Sequence, residues 1–195
     1  MLIAVLGRKS SGKDTFANYI INKYGFIKYS FADPLKKGVQ NFFNLTDQQL
    51  LDEKLKETID PRWGISPRKL FQIIGTDIFQ NVLKEYIPEL SINGRNHWVI
   101  LFNQWFTSQK SDTNVIIADG RFLHEIEEVK KLGGKVIKII RPDKNNNNIN
   151  KNDIHLSELE IDMIPDELID YIIINDTNNL DIFHQKIDQL FDLKI

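Results

Sequence analysis

Apolar positions along the chain alternate between two periodicities. Leu2 to Leu6 is an uninterrupted apolar run closing on Gly7, the pattern of a strand buried on both faces of a parallel sheet. From Lys13 onward Phe16, Ala17, Ile20, Ile21 and Tyr24 recur at helical spacing, and Gly25 supplies a stop. Phe26 to Phe31 alternates as a second strand, and Asp33-Pro34 offers an N-cap and a first-turn proline for a helix reaching Asn44. Between Thr46 and Gln109 no strand pattern stands out, and helices are predicted over 47–57, 67–86 and 96–109. The alternation then resumes. Val115 to Ala118 is an apolar strand ending at Asp119, Phe122 to Leu132 an amphipathic helix stopped by Gly133-Gly134, and Lys135 to Ile140 a further strand. The asparagine-rich stretch from Arg141 to Asp153 holds little that could pack and is expected to be an exposed, mobile loop. Ser157 and Glu160 have capping-box spacing, Tyr171 to Ile174 is a last strand, and Leu180 to Leu193 a closing helix.

These elements predict one α/β domain over 1–195, a central parallel sheet flanked by helices. Its core takes 1–32 and 111–195, with a helical insertion over 33–110. Hydrophobic residues at 42% and charged residues at 27% suit a packed globular domain rather than a disordered chain. The net charge of −2 lacks the basic excess of a duplex-binding protein, so nucleic acid is not an expected partner. The absence of cysteine excludes disulfides and thiolate metal sites and is compatible with a reducing, cytoplasmic setting. No run approaches the roughly 18 apolar residues of a membrane helix. The apolar N-terminus is too short for a signal peptide and has no basic leader, so a soluble protein is expected.

The chemistry begins where the first strand ends. Gly7-Arg8-Lys9-Ser10-Ser11-Gly12-Lys13-Asp14-Thr15 follows that strand and opens the first helix, the context in which a G-x-x-x-x-G-K pattern signifies a phosphate-binding loop. Small residues let backbone N–H groups turn inward around a polyphosphate, the helix N-terminus adds partial positive charge, and Lys13 can reach the β- and γ-phosphates. Asp14 stands where a Ser or Thr usually follows the lysine, which leaves Thr15 as the hydroxyl for Mg²⁺. Asp119, closing an apolar strand, is either the second carboxylate on the metal side or a cap for the next helix. Arg121 sits at the carboxyl end of the sheet, where ligands of open α/β folds collect; it suits either a moving phosphate or a surface ion pair. Asn150-Lys151-Asn152-Asp153 spells a guanine-binding pattern, but it lies well past the strand ending at Ile140, and Phe122-Leu123 replace the D-x-x-G glycine that should follow Asp119.

Several segments in order resemble the deoxynucleoside monophosphate kinases of phages and large DNA viruses, within the P-loop kinases. They are residues 7–15, Ser-Phe-Ala-Asp-Pro-Leu-Lys at 30–36, Pro-Arg-Lys-Leu-Phe-Gln-Ile-Ile-Gly-Thr-Asp at 67–77, Asp-Gly-Arg-Phe at 119–122, Arg-Pro at 141–142 and His-Leu-Ser-Glu at 155–158. The resemblance implies a P-loop NTPase fold with a helical acceptor-binding insertion and a short lid over 141–155. It implies ATP as donor with Mg²⁺, a (deoxy)nucleoside monophosphate as acceptor, room for a homodimer, and a host-cytoplasmic location if viral. Gly7, Arg8, Ser10, Ser11, Gly12, Lys13, Asp14 and Thr15 would hold the ATP phosphates. Asp33, Arg68, Gln72, Gly75, Thr76 and Asp77 would lie near the acceptor, and Lys13, Arg121 and Arg141 would serve transfer.

Structural alternatives accompany these roles. Asp33 could cap its helix, Gln72 could face solvent, and Gly75-Thr76 could serve close helix packing. Trp98 and Trp105, seven apart, favour core packing over base stacking. His155 could cap or organise the base of the lid. The chain also departs from the family pattern: Gln80 stands near a position where an arginine is usual, and the lid beyond Arg141 offers Lys144 and Lys151 but no arginine. The rival readings are a P-loop kinase for another small acceptor and a nucleotide-binding switch without transfer activity.

Overall fold

The computed structural model describes residues 1–92, 96–142 and 160–193. Five strands form one sheet: β1 (Leu2–Leu6), β2 (Ile27–Tyr29), β3 (Val115–Ile117), β4 (Lys135–Ile140) and β5 (Tyr171–Ile174). Every pairing is parallel and the order is β2-β3-β1-β4-β5. The chain moves to one side of β1 for β2 and β3 and then crosses to the other for β4 and β5. The carboxyl end of β1 therefore opens at the switch between the two directions.

Side chains of a strand point alternately to the two faces, so each face needs its own helical cover. Ile3 and Val5, Ile116 and Ala118, Ile137 and Ile139, and Ile173 form one buried cluster with Phe16, Ala17 and Ile20 of α1 (Lys13–Tyr24). Phe183, Ile187 and Leu190 of the closing helix (Leu180–Asp192) complete that cluster. The helix Leu123–Lys131 packs on β4 and β1 through buried Ile126 and Val129. The buried apolar strands and the helical stripes thus explain one another, and the predicted bounds hold within two residues, β2 being shortened at both ends.

Two compact units divide the chain, Met1–Ser30 with Gln109–Ile195, and Phe31–Ser108. The second is helical: α2 (Ala32–Phe43), α3 (Asp47–Leu51), α4 (Glu53–Glu57), α5 (Pro67–Gln72), a π-helix (Ile73–Val82), α6 (Leu83–Tyr86) and α7 (His97–Thr107). The helix Leu123–Lys131 is then α8 and Leu180–Asp192 α9. Val39, Leu45 and Leu70 form the small core of the helical unit, with Leu35, Phe43, Leu50, Ile65, Phe71 and Ile74 against it.

The unit corrects three sequence expectations. Asp33 does not cap α2: the cap position is Phe31, and Asp33 sits inside the first turn, exposed, 3.4 Å from Lys36. The single helix expected over 47–57 is two, because Asp52 adopts an extended conformation and its side chain caps α4 by accepting the Leu55 N–H. The helix expected over 67–86 keeps its bounds but widens in the middle, where Leu83 N–H bonds the Ile78 carbonyl five residues back. Gly75 lies in that wide segment, and a Cβ on it would stand 2.4 Å from Leu35 Cδ2. The indole of buried Trp98 donates to the Gly75 carbonyl at 3.0 Å. Core packing is accordingly the role of Trp98, while Trp105 is half-buried near Phe102. The capping-box residue Ser157 lies outside the described residues.

In the first unit, α8 is opened by a carboxyl group of its own. Glu125, 2% exposed, reaches back to accept the backbone N–H groups of Arg121 (2.8 Å) and Phe122 (3.1 Å). Asp119 therefore does not cap this helix. Burial pushes the Glu125 carboxyl up to about 8, against the lowering effect of the N–H bonds and with the nearby Asp119 charge adding to the rise.

Two predictions follow from this packing. Gly75→Ala destabilises the protein to denaturant because Leu35 must leave its packed rotamer. In a Leu35→Ala background the same change becomes stabilising by about 1 kcal/mol, as alanine exceeds glycine in helical propensity. The folded state holds the Glu125 proton more tightly than the unfolded chain, so its contribution is fully present below about pH 4.3 and is lost as pH rises towards 8. Glu125→Gln, which keeps an acceptor oxygen, should flatten urea-determined stability between those limits by a slope of up to about 1.4 kcal/mol per pH unit.

Candidate active site

The turn after β1 is shaped by what surrounds it. A Cβ on Gly7 would stand 2.5 Å from Ser11 Oγ and 2.6 Å from the Ile139 carbonyl oxygen, so only glycine fits between β4 and the returning loop. Ser10 takes the left-handed conformation (φ 63°), and so does Gly12 (φ 111°). Placing Ser10 there costs about 1–2 kcal/mol, the kind of local strain that accumulates where a loop must present its amides to an anion. Phe16 N–H then bonds the Gly12 carbonyl at 2.9 Å and α1 begins. Lys13 folds back over the turn, its ammonium donating to the carbonyls of Gly7 (2.6 Å) and Arg8 (2.8 Å). Asp14 points outward, 83% exposed and 3.5 Å from Lys28, whereas Thr15 is half-buried. Ser11 is buried, and its hydroxyl has no hydrogen-bond partner among the described residues.

β3 lies beside β1, which brings Asp119 to the same end of the sheet as the loop. Buried Ser30, just past β2, donates its hydroxyl to Asp119 Oδ2 at 2.6 Å and so fixes the carboxylate's orientation. Arg121 is half-buried two residues on, with its backbone anchored by Glu125. Arg141, just past β4, donates to Asn178 Oδ1 (2.6 Å) and to the Ser10 carbonyl (3.4 Å). Arg8 makes a 2.6 Å ion pair with Asp162. A cleft beside the loop is lined by Gly12, Thr15, Arg141, Asn175, Asn178 and Phe183.

The sequence-predicted phosphate, metal and transfer residues thus all belong to the unit that carries the sheet. The residues expected near the acceptor belong to the helical unit. There Arg68 on α5 bonds Glu57 (2.9 Å) and Glu53 (2.8 Å) on α4. Gln72 is half-buried, Gly75 and Thr76 are buried in the π-helix, Asp77 is exposed, and Gln80 is 6% exposed. The close Leu35 contact accounts for Gly75 by packing. Lid positions 143–155, including Lys144, Lys151 and His155, lie outside the described residues. Among the described residues no three carboxylate, histidine or cysteine side chains gather as a metal site.

Sequence reasoning passed over Ser30, Asn175 and Asn178. A signal was present: in a parallel sheet the residue just beyond each strand faces the ligand side, and Asn175 ends β5 as Gly7 ends β1 and Arg141 ends β4.

Comparison with known proteins agrees with this geometry. The family described as deoxynucleotide monophosphate kinase matches residues 1–58 and 41–187. A protein of Acanthamoeba polyphaga mimivirus, which carries that name provisionally, is 40% identical over 177 residues, spanning 90% of this chain and 88% of its own. The deoxynucleotide monophosphate kinase of Enterobacteria phage T4 is 22% identical over 235 residues, spanning 86% and 90% respectively. Among solved structures, dephospho-CoA kinase from Campylobacter jejuni superposes with a TM-score of 0.50 at 20% identity, over 98% of this chain and 95% of that one, a likeness of fold. A parallel sheet with a phosphate-binding turn at its switch, together with these relatives, makes the chain a P-loop kinase and a member of the deoxynucleotide monophosphate kinase family.

Proposed function

We propose that the protein transfers the γ-phosphoryl group of ATP to a (deoxy)nucleoside monophosphate, giving ADP and the corresponding diphosphate. The observation that carries this reading is the loop itself: a turn with two left-handed residues, a lysine ammonium folded into it, and a helix beginning at Gly12. Such a turn supplies donors and positive charge to a polyphosphate without needing any rearrangement of the backbone.

The acceptor phosphate carries its own nucleophilic oxygen. That oxygen attacks the γ-phosphorus as the bond to the β-bridging oxygen breaks, and ADP keeps the electron pair. No side chain has to remove a proton, so the enzyme's work is alignment and charge compensation. In this reading Lys13 leaves the Gly7 and Arg8 carbonyls for the β- and γ-phosphates. Arg121 and Arg141 face the developing charge, and the cleft between Gly12 and Phe183 receives the donor nucleotide. Thr15 and Asp119 offer the oxygen ligands that Mg²⁺ takes, and Ser30 holds the carboxylate in one orientation. Those two ligand residues would hold Mg²⁺, which would supply positive charge to the donor phosphates.

On the acceptor side we assign Asp33, Arg68, Gln72, Thr76 and Asp77, with Gly75 allowing the helix to pack. Arg68 is the natural partner for the acceptor phosphate, which would take over from Glu53 and Glu57. The viral relatives support action in the cytoplasm of an infected host. Among the described residues no helix is long and apolar enough to cross a membrane.

An ADP-release assay across ribo- and deoxyribonucleoside monophosphates should give Mg²⁺-dependent turnover with at least one of them. Silence with all would overturn the assignment. Lys13→Ala should lower kcat/KM by on the order of 10²–10³-fold while leaving the thermal midpoint nearly unchanged. Near-normal transfer in that variant would place the donor phosphates elsewhere.

A further inference from the structure

Asn175 follows the last residue of the edge strand β5, yet it is 6% exposed. Its backbone N–H donates to the Ile140 carbonyl at 2.8 Å, extending the β4–β5 pairing by one step and fixing the position of its Cα. Its side-chain amide donates through Nδ2 to the Ser11 carbonyl at 2.9 Å, across 164 residues of sequence. The fit is tight. A Cβ on Gly12 would stand 2.7 Å from Asn175 Nδ2, with the Phe183 ring next at 3.4 Å. Ser11 is therefore held on two sides, with its hydroxyl wedged against Gly7 and its carbonyl tethered to Asn175.

That tether has a directional effect. The peptide between Ser11 and Gly12 is planar and trans, so its C=O and N–H point in opposite directions. Pinning the carbonyl towards β5 aims the Gly12 N–H away from it. Without the amide, the Ser11 carbonyl would be a buried acceptor with no donor, and the peptide would be free to flip at the φ of Gly12, where glycine offers little resistance. A flipped peptide would present a carbonyl oxygen, partially negative, where an amide hydrogen is required.

We propose that Asn175 is a positioning residue for phosphoryl transfer: by holding the Ser11 carbonyl it keeps the Ser11–Gly12 peptide oriented with its N–H towards the donor phosphates. Asn175 acts through the loop and touches no reacting atom. The inference rests on the reading of residues 7–15 as the donor-phosphate site.

The test replaces Asn175 with Asp, which keeps the size and the backbone bond but offers no NH₂ group, and in parallel with Ser, which is small and leaves β5 intact. Affinity for the Mg²⁺ complex of a non-hydrolysable ATP analogue is measured by calorimetry well below each variant's thermal midpoint, and KM is measured separately for donor and acceptor. Weakened donor affinity of about 10- to 100-fold in the folded variants, with acceptor KM unchanged, is the expected result; it corresponds to one lost charge-assisted amide contact. A role confined to stability would lower the thermal midpoint and leave donor affinity within about twofold, and that result would overturn the proposal. Lys13→Ala and the unaltered protein are run alongside. If the unaltered protein does not bind the analogue, or Lys13→Ala binds it equally well, the loop assignment itself falls. If those controls behave and the Asn175 variants bind the analogue within about twofold of the unaltered protein, the loop stands and the positioning role is rejected.

Discussion

The distance between the Ile139 carbonyl and the α-carbon of Gly7 decides much of this molecule. β1 and β4 are hydrogen-bonded neighbours, so the backbone of β4 is already in place where the chain leaves β1. A turn that begins there has no room for a side chain, and it can only curl back over the end of the strand. The curl is what exposes amides on its inner side and starts α1 with unpaired N–H groups facing the same hollow. The loop is thus a result of sheet packing before it is a result of its own sequence. Asp119 and Arg141 share its surroundings because they end strands on either side of β1.

Electrostatic compensation is the second theme. The basic side chains of the candidate site already have partners: Lys13 rests on two carbonyls, Arg8 on Asp162, and Arg141 on Ser10 and Asn178. In the helical unit Arg68 is shared by two glutamates. A charge that leaves one oxygen for another does not have to be stripped of its interactions first, which keeps the cost of engaging a phosphate low. The partners are neutral carbonyls or exposed carboxylates. A multiply charged phosphate can outcompete them.

How much was legible in the sequence follows from how local each feature is. Leu2 to Leu6 and Val115 to Ala118 announce buried parallel strands because no polar residue could survive there, and in Lys135 to Ile140 only Lys135 and Lys138 interrupt the apolar run, both partly exposed. The Gly7 to Lys13 spacing announces its loop because the turn is made within seven residues. The cap expected of Asp33 failed since α2 starts two residues earlier, and a cap depends on a single φ/ψ pair rather than on a pattern. The break at Asp52 was hidden for the same reason. Asn175 was signalled only by its place just past β5; its importance is a bond to Ser11 that exists only after β5 has paired with β4. Ser30 likewise gains meaning only once β2 has brought it to Asp119.

The widened segment at Ile73–Val82 alters how chain length relates to surface identity. In an ordinary helix, losing one residue shortens the rod and rotates everything beyond it. Here the turns already carry a surplus residue, so a single deletion could be absorbed by tightening to α-helical spacing while the ends stay connected. The face bearing Gly75, Thr76 and Gln80 would then be swung round relative to Trp98. Sequence length in this segment behaves as a dial for orientation, and relatives that differ there by one residue would present different side chains from the same helix.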